Sequence, residues 1–226
     1  DDTVEVAREA GADHAISFAG NKGLAEAFSA GLEKAVELGA DIVVNTDGDN
    51  QYRGDYIPDL IAPIQRGEAV LVVGVRPIED IEEFSWLKKR LQRLGSWIVR
   101  KVSNTDVSDA TSGFRAYSRE AAQRLTIVSN FTYTHETLIQ AGRSNMVVKE
   151  VPIETNPQTR PSRLFTSIPE YLIRSIQTIL RIYTVYEPLA FFVTLGSVFL
   201  VVAGLIGARF LYYFLAGAGT GKVQSL

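Results

Sequence analysis

The sequence predicts an α/β domain with a mostly parallel sheet flanked by helices, followed by an amphipathic juxtamembrane helix and a transmembrane helix. Short apolar runs alternate with helix-period patterns over the first two thirds of the 226 residues, which is typical of strands joined by crossover helices. Two carboxylates follow directly after one of these runs. Near the other end of the chain, residues 188–208 carry no charge over a length close to the ~20 residues that cross a membrane.

Four strands are predicted, at residues 12–18, 41–45, 69–75 and 147–153. Between the first two, residues 24–38 predict a helix whose apolar residues share one face, and Gly39 ends it. Helices between strands favour crossover connections and therefore a mostly parallel sheet. In such sheets ligands bind outside the carboxyl ends of the strands, so we expect the site directly after Val44 and Val75.

The composition excludes several classes of protein and site. Hydrophobic residues make up 46% and charged residues 22% of the chain, which is typical of a folded domain. The net charge of -3 indicates no nucleic-acid partner. The absence of Cys excludes a disulfide framework, a Cys-ligated zinc site and a Cys nucleophile. His14 and His135 lie far apart in sequence, which disfavours a histidine metal site.

Residues 83–102 predict an amphipathic helix. Its apolar residues recur at three- and four-residue steps, and its other positions carry Lys and Arg beside Trp86 and Trp97. This pattern has two interpretations. The helix is either an ordinary surface helix with a solvated charged face or a helix that lies on an anionic membrane surface. Basic residues and Trp are the usual composition of a helix at such a surface.

The uncharged stretch at residues 188–208 predicts the transmembrane helix, since a buried helix of this length rarely lacks every charged or polar break. Apolar residues resume after Arg209, so this side chain is expected to reach the interface from a longer helix. Residues 167–186 predict the amphipathic helix before it. Basic residues on this side, among them Arg160 and Arg163, place the preceding domain on the cytoplasmic side of the cell membrane by the positive-inside rule.

Asp47 and Asp49 stand one residue apart just after the strand at 41–45. We expect them to point into the same crevice, and Gly48 between them lets the backbone approach a ligand closely. Paired carboxylates suit a hard divalent cation, which takes oxygen ligands and leaves room for substrate phosphates. A D-x-D is common in plain loops, but its position at the end of a buried strand favours a functional interpretation.

Residues 43–52, VVNTDGDNQY, resemble the D-x-D stretch of family 2 glycosyltransferases with the GT-A fold. Within that family they are most similar to the polyprenyl-phosphate or dolichyl-phosphate sugar transferase group. Segments that resemble the same group in order and spacing are residues 1–9, 21–24 with Ala27, 74–76 (GVR), 111–116 (TSGFRA), the apolar run from Pro188, and 221–226. The resemblance covers nearly the whole chain. It implies a nucleotide-binding first strand upstream of residue 1 and a second transmembrane helix after residue 226.

The resemblance also implies a domain organisation. Residues 1–155 would form the GT-A catalytic domain, without its N-terminal strand and nucleotide-binding segment. Residues 156–187 would form a juxtamembrane loop and amphipathic helix. Residues 188–226 would form the transmembrane helix and the start of the following loop.

The residues that resemble the family's motifs take implied roles in catalysis and metal binding. Asp47 and Asp49 would hold Mg²⁺ or Mn²⁺ against the donor diphosphate, with Gln51 assisting. Asp47 or Glu136 would orient the attack, so Asp47, Asp49 and Glu136 are the catalytic candidates. His135, next to Glu136, is interpreted as a structural group.

Four arginines, together with Gln51, are the substrate-binding candidates. Arg76 and Arg115 would neutralise phosphate charge by bidentate contact. Arg160 and Arg163 would hold the acceptor phosphate or the donor diphosphate at the membrane, or serve as a basic juxtamembrane segment.

The implied reaction moves a hexose from a UDP- or GDP-sugar to a polyprenyl phosphate, dolichyl or undecaprenyl, with inversion. A lipid phosphate has a second pKa near ~6, so it is mostly ionised at neutral pH and needs little help from a base. Two alternatives stay open: a processive polysaccharide synthase, whose Q-x-x-R-W signature this chain lacks, and a non-catalytic membrane-anchored module that binds nucleotide sugar. The partners expected are the donor, the lipid phosphate and the membrane, and a homo-oligomer is left open.

Overall fold

The computed structural model of the protein describes residues 2–76, 86–127, 133–157, 173, 177, 180–181 and 184–215. The chain forms two compact units, Asp1–Ser175 and Ile176–Leu226. The boundary between them, after Ser175, coincides with neither of the predicted boundaries after residues 155 and 187, and the three-part domain division stays a prediction.

The described helices and strands of the first unit are, in chain order, α1 (Thr3–Glu9), α2 (Leu24–Glu37), β1 (Ile42–Asn45), a 3₁₀ turn (Gly54–Tyr56), α3 (Ile57–Gln65), β2 (Leu71–Val75), α4 (Trp86–Ser103), β3 (Arg115–Ser118), α5 (Arg119–Arg124), α6 (Tyr133–Arg143) and β4 (Val148–Pro152). Most predicted elements are confirmed, among them the helix at 24–38 and the strands at 41–45, 69–75 and 147–153. The strand predicted at 12–18 is wrong. Those residues pair with no described strand and leave Ile16 exposed, and a strand without a ladder partner has nowhere to place its backbone hydrogen bonds.

The four described strands form one sheet in the order β1-β3-β2-β4. β2 and β4 are parallel, whereas β3 is antiparallel to both β1 and β2. Three strands therefore run in one direction, as a mostly parallel sheet requires, but the reversed β3 between them makes the sheet mixed. The sequence analysis identified no strand at β3, because four residues that begin with Arg115 show no period-two apolar pattern.

One apolar cluster joins α3 to the sheet. Its buried members are Tyr52, Leu60, Ala69, Val72, Phe114, Ala116 and Ile153. Burying a side chain of the size of Leu or Val stabilises the fold by about 1.5–3 kcal/mol, so this cluster holds the sheet and its carboxyl-end loops in one position. Tyr52 and Phe114 stack within it at 5.2 Å between ring centroids, and both come from loop segments next to the strand ends.

α4 and α6 pack closely through a glycine. A Cβ atom added at Gly142 would overlap the carbonyl oxygen of Ser103, near the end of α4. The facing side of α4 buries Ile98, Val99 and Val102. A backbone-to-backbone approach of this kind has no room for any other residue, so Gly142 sets the distance between the two helices.

The second unit contains α7 (Pro188–Leu215), a helix of 28 residues. It is long and apolar enough to cross a membrane, and none of its residues is buried within the protein. At 1.5 Å per residue it spans ~42 Å, which exceeds a hydrocarbon core of ~30 Å. The predicted helix at 188–208 is confirmed as a helix, and its insertion into a membrane stays a prediction. Of the predicted helix at 167–186, the described residues 173, 177, 180–181 and 184–186 are helical.

Candidate functional site

The reversed direction of β3 brings three distant segments to one edge of the sheet. The register pairs Asn45, the last residue of β1, with Arg115, the first residue of β3. Arg115 also pairs with Val73 near the end of β2. The loop before β3 therefore enters between the carboxyl ends of β1 and β2, where Asp47 and Arg76 leave their strands.

Hydrogen bonds on both sides of Gly113 fix this loop. Asn45 donates through Nδ2 to the carbonyl oxygen of Gly113 at 2.6 Å and to the hydroxyl of Tyr133 at 2.8 Å. The backbone N–H of Gly113 donates to the Tyr52 hydroxyl at 3.1 Å. The Tyr133 ring in turn stacks on Phe28 of α2, with centroids 4.0 Å apart. Burial and the nearby Asp47 carboxylate raise the pKa of Tyr133 above its ordinary value, so its hydroxyl stays protonated.

The Asp47 carboxylate is half-buried and has a carboxylate neighbour. Burial and the charge of Asp49 raise the pKa of Asp47, and the charge of Arg76 opposes this rise. Asp49 accepts a hydrogen bond from the backbone N–H of Gln51 at 3.0 Å, across Asn50 with a φ of 59°. The turn therefore orients the Asp49 side chain through the backbone of Gln51.

Two neighbouring carboxylates with a repulsive interaction are suited to a divalent cation. In the part of the chain that the structure describes, no group of three or more His, Cys, Asp or Glu side chains is close enough to hold a metal. Asp47 and Asp49 thus offer a partial oxygen site of the kind that Mg²⁺ or Mn²⁺ occupies when substrate phosphates and water complete its coordination.

Arg76 is held by a carboxylate that the sequence analysis missed. Its Nε and Nη2 donate to the two carboxylate oxygens of Asp109 at 2.7 and 3.1 Å, and Nη2 also donates to the Thr111 hydroxyl at 2.8 Å. Burial alone would raise the pKa of Asp109, but the charge and hydrogen bonds of Arg76 hold it below its ordinary value. The predicted phosphate-binding Arg76 is therefore a nearly buried member of an ion pair. The only sequence signal for Asp109 is its place two residues before the T-S-G-F-R-A segment.

The position of Arg115 differs from the prediction that this side chain contacts phosphate. Its guanidinium is fully buried and donates to the carbonyl oxygens of Ala110, Ser112 and Thr134 and to the Thr137 hydroxyl, at 2.7–2.9 Å. All three guanidinium nitrogens donate to protein oxygens, and the side chain is not exposed where a phosphate could contact it. Arg115 instead ties the loop before β3 to the first turns of α6.

Glu136 and His135 lie in the first turn of α6. Glu136 is buried, and its proposed part in catalysis stays a prediction. Burial and the charge of Arg115 lower the pKa of His135 to about 4, so its imidazole is neutral at physiological pH. Its Nδ1 is enclosed and has no hydrogen-bond partner among the described residues. Arg160 and Arg163 lie outside the described residues.

A pocket of about 520 Å³ opens on the α4 side of Arg76. Its lining residues are Arg76, Arg93, Leu94, Ser96, Trp97, Arg100 and Ser108. Three guanidinium groups next to an indole and an aliphatic side chain give this pocket both a cationic and an apolar character. Arg76 lines the pocket, and its charge also acts on the Asp47 carboxylate.

An exposed stripe runs along α4, opposite its buried face. Its members recur every three or four residues and are Trp86, Arg90, Leu94, Trp97 and Lys101. Trp86 and Trp97 are 68% and 50% exposed. Arg90 lies 5.0 Å from the ring centroid of Trp86, and Lys101 lies 5.5 Å from that of Trp97. The predicted amphipathic helix is confirmed, and an exposed row of paired tryptophans and cations is typical of a membrane interface.

Comparison with known proteins gives a consistent result. The family model described as "Glycosyl transferase family 2" matches residues 1–126. The chain is 38% identical over 147 residues to the UDP-N-acetylglucosamine–dolichyl-phosphate N-acetylglucosaminyltransferase of Methanococcus voltae. The aligned region covers 62% of this chain and 58% of that protein. The chain is 24% identical over 146 residues to the undecaprenyl-phosphate mannosyltransferase of Micrococcus luteus, with 62% and 59% covered. The chain thus matches less than two thirds of the length of these relatives.

Solved structures support the fold. Glucosyl-3-phosphoglycerate synthase from Mycobacterium tuberculosis, in complex with phosphoglyceric acid, superposes with a TM-score of 0.57 at 21% identity, over 81% of this chain and 64% of that one. The same enzyme with Mn²⁺, uridine diphosphate and phosphoglyceric acid gives a TM-score of 0.59 at 21% identity, over 81% and 63%. At this identity the similarity shows a shared α/β architecture of mixed sheet and flanking helices.

Proposed function

This chain belongs to glycosyl transferase family 2, and we propose that it is a membrane-anchored enzyme that transfers a hexose from a UDP- or GDP-sugar to a polyprenyl phosphate. One observation carries this proposal: the charge of Arg76 acts on Asp47 of the carboxylate pair, and Arg76 also lines a pocket that is both cationic and apolar. The carboxylate pair suits a nucleotide diphosphate with its metal, and the pocket suits a phosphate with a hydrocarbon chain.

The names of the relatives support both substrates. The Methanococcus voltae protein is named for a UDP-sugar and dolichyl phosphate, and the Micrococcus luteus protein for undecaprenyl phosphate. The two names differ in the sugar and in the polyprenol, so the proposal extends to the class of donor and acceptor and leaves their identities to experiment.

On the donor side, Asp47 and Asp49 would hold Mg²⁺ or Mn²⁺, with Gln51 beside them. A bound ion of this kind neutralises charge on the departing nucleotide diphosphate. The raised pKa of Asp47 fits this role, because a site with two adjacent carboxylates is relieved of repulsion when a cation binds. Solved relatives of the fold contain Mn²⁺ or Mg²⁺ with uridine diphosphate, which supports the same ligand class.

On the acceptor side, the pocket on α4 would take the lipid phosphate. Its arginines offer donors that match phosphate oxygens, and Leu94 and Trp97 offer an apolar surface for the first isoprene units. A free phosphate would need only the cationic half of this pocket. The combination of the two halves therefore favours an acceptor with an apolar tail.

The proposed reaction is a direct displacement at the anomeric carbon of the sugar. An acceptor phosphate oxygen forms the new bond to that carbon, and the bond to the nucleotide diphosphate breaks, with the electron pair leaving on the diphosphate oxygen. The configuration inverts in a single step of this kind. Because the acceptor phosphate is mostly ionised at neutral pH, with a second pKa near ~6, Glu136 or Asp47 would orient the attack and no strong base is needed.

The membrane supplies the acceptor in this proposal. α7 is apolar and long enough to anchor the chain, and the tryptophan–cation stripe on α4 has the composition of an interfacial helix. The basic residues before α7 support a catalytic domain on the cytoplasmic side of the cell membrane. Arg160 and Arg163 are proposed to contact phosphate at that surface.

The test uses the full-length protein in membranes with radiolabelled UDP- and GDP-sugars, Mg²⁺ or Mn²⁺, and added polyprenyl phosphate. We expect label to move into the lipid fraction, and to stop doing so with EDTA and in Asp49→Ala. Asp59→Ala, which removes an exposed carboxylate from the first turn of α3, is the matched control and should transfer at the wild-type rate. Donor binding without transfer to lipid would overturn the acceptor assignment and favour the non-catalytic alternative.

A further inference from the structure

Asp109 is a fully buried carboxylate with a complete set of partners. It accepts two hydrogen bonds from Arg76, and Thr111 donates to its Oδ1 from the backbone N–H at 3.2 Å and from the hydroxyl at 2.8 Å. A buried charge of this kind is stable only when a cation and hydrogen bonds compensate for the lost water. Arg76 is the cation that does so here.

The Thr111 hydroxyl links the two partners. It donates its single hydrogen to Asp109 and accepts from Nη2 of Arg76 at 2.8 Å, so one group holds both ends of the ion pair. These contacts use Nε and Nη2 of the guanidinium. Among the described residues, none accepts a hydrogen bond from Nη1 of Arg76. The orientation of the planar guanidinium is therefore set from the Asp109 side.

Arg76 also interacts beyond the Asp109–Thr111 pair. It acts electrostatically on Asp47 and it lines the pocket on α4. A guanidinium whose plane is already held in one direction loses less rotamer entropy when it binds phosphate oxygens than a free Arg side chain does.

We propose that Asp109 is a positioning residue, which holds the guanidinium of Arg76 by one edge so that the other edge faces the phosphate groups of the reaction. The inference rests on the proposed function and deepens it, because it assigns the orientation of Arg76 to a buried residue that touches neither substrate. Thr111 supports the same geometry through its hydroxyl.

The kinetic test compares Asp109→Asn with the wild type. We expect kcat to fall by about tenfold or more, because a displacement of ~1 Å in a group that positions charge costs that much or more. The KM for the nucleotide sugar should change less than about threefold, since Asp47 and Asp49 are retained. Asp106→Asn removes an exposed carboxylate from the same loop and is the matched control, with no expected change.

A double-mutant cycle separates positioning from a general structural role. If Asp109 acts through Arg76, then adding Asp109→Asn to Arg76→Lys should lower kcat by less than about threefold beyond Arg76→Lys alone. Losses that multiply in the double variant would overturn the proposal. If Asp109→Asn does not fold, Thr111→Val removes only the linking hydroxyl and should show the same lack of additivity with Arg76→Lys.

A readout without turnover distinguishes failure of this inference from failure of the proposed function. In protein labelled with ¹⁵N-arginine, the Nε–H of Arg76 should give a slowly exchanging signal, assigned by its loss in Arg76→Lys. We expect this signal to shift and to exchange faster in Asp109→Asn or Thr111→Val. An unchanged signal would refute the positioning role even if the enzyme is active, whereas the expected change in a protein that transfers no sugar to lipid would refute only the function.

Discussion

The Asp47 carboxylate lies directly against the α-carbon of Gly113, although 66 positions separate the two residues in sequence. A Cβ atom added to Gly113 would lie 3.1 Å from Oδ2 of Asp47 and 2.9 Å from the Tyr133 hydroxyl. The glycine is required here by contact and not by its backbone, since its φ is not in the left-handed region. The position of the Asp47 carboxylate therefore depends on the absence of a side chain at Gly113.

Gly113→Ala should displace Asp47 while the core remains folded. The methyl group forces the carboxylate or the Tyr133 hydroxyl to move, and we expect transfer of sugar to polyprenyl phosphate to fall by about tenfold or more. The control is Gly31→Ala on α2, where a Cβ meets nothing within 4 Å and a helix interior gains about 0.8–1 kcal/mol. Wild-type activity in Gly113→Ala would contradict the predicted role of this contact.

Arg115→Met should unfold the protein more readily. The carbonyl oxygens of Ala110 and Ser112 lose the guanidinium donor in a fully buried site, and each unsatisfied group costs about 1–3 kcal/mol. We expect the free energy of unfolding in urea to fall by about 3 kcal/mol or more, while Arg124→Met on the exposed side of α5 should change it by less than about 0.5 kcal/mol. If Arg115→Met has normal stability but transfers no sugar, this result would instead support the original prediction that Arg115 contacts phosphate directly.

His135 should make the protein less stable at mildly acidic pH. Its folded pKa of about 4 lies below the ordinary 6.5, so the unfolded chain binds a proton in this window that the folded protein excludes. Stability is therefore complete above about pH 6.5 and is lost as the pH falls towards 4. Thermal unfolding of His135→Leu, compared with wild type from pH 7 to pH 4.5, should show a smaller fall in Tm. Equal falls would show that other groups cause the acid sensitivity.

The two interpretations of α4 can be separated by fluorescence. Trp86 and Trp97 are the two tryptophans of this chain, and both lie on its exposed stripe. In proteoliposomes, lipids brominated near the headgroup should quench both residues if α4 lies on the membrane, and the variants Trp86→Phe and Trp97→Phe assign the contributions. Quenching by a water-soluble agent alone would indicate an ordinary solvated surface helix.

Much of the site could be predicted because its signals are local. The D-x-D at the end of a short apolar strand, the helix at 24–38 and the apolar helix from Pro188 each depend on residues adjacent in sequence. The family resemblance came from the same kind of segment, and the match over residues 1–126 confirms it. The strand at 12–18 failed for the complementary reason, since an apolar run becomes a strand only when another strand pairs with it.

Periodicity and short motifs are local features, so the class of fold, the family and the candidate carboxylates could be predicted from the sequence. The roles of the arginines, in contrast, depend on contacts between distant segments. The reversed β3 brings Asp109 to Arg76 and surrounds Arg115 with carbonyl oxygens, so that one becomes half of a buried ion pair and the other a connection between β3 and α6. Both assignments depend on which groups meet across 33 and 19 positions of sequence, and hydrogen bonding in a buried site then determines the role of each charge.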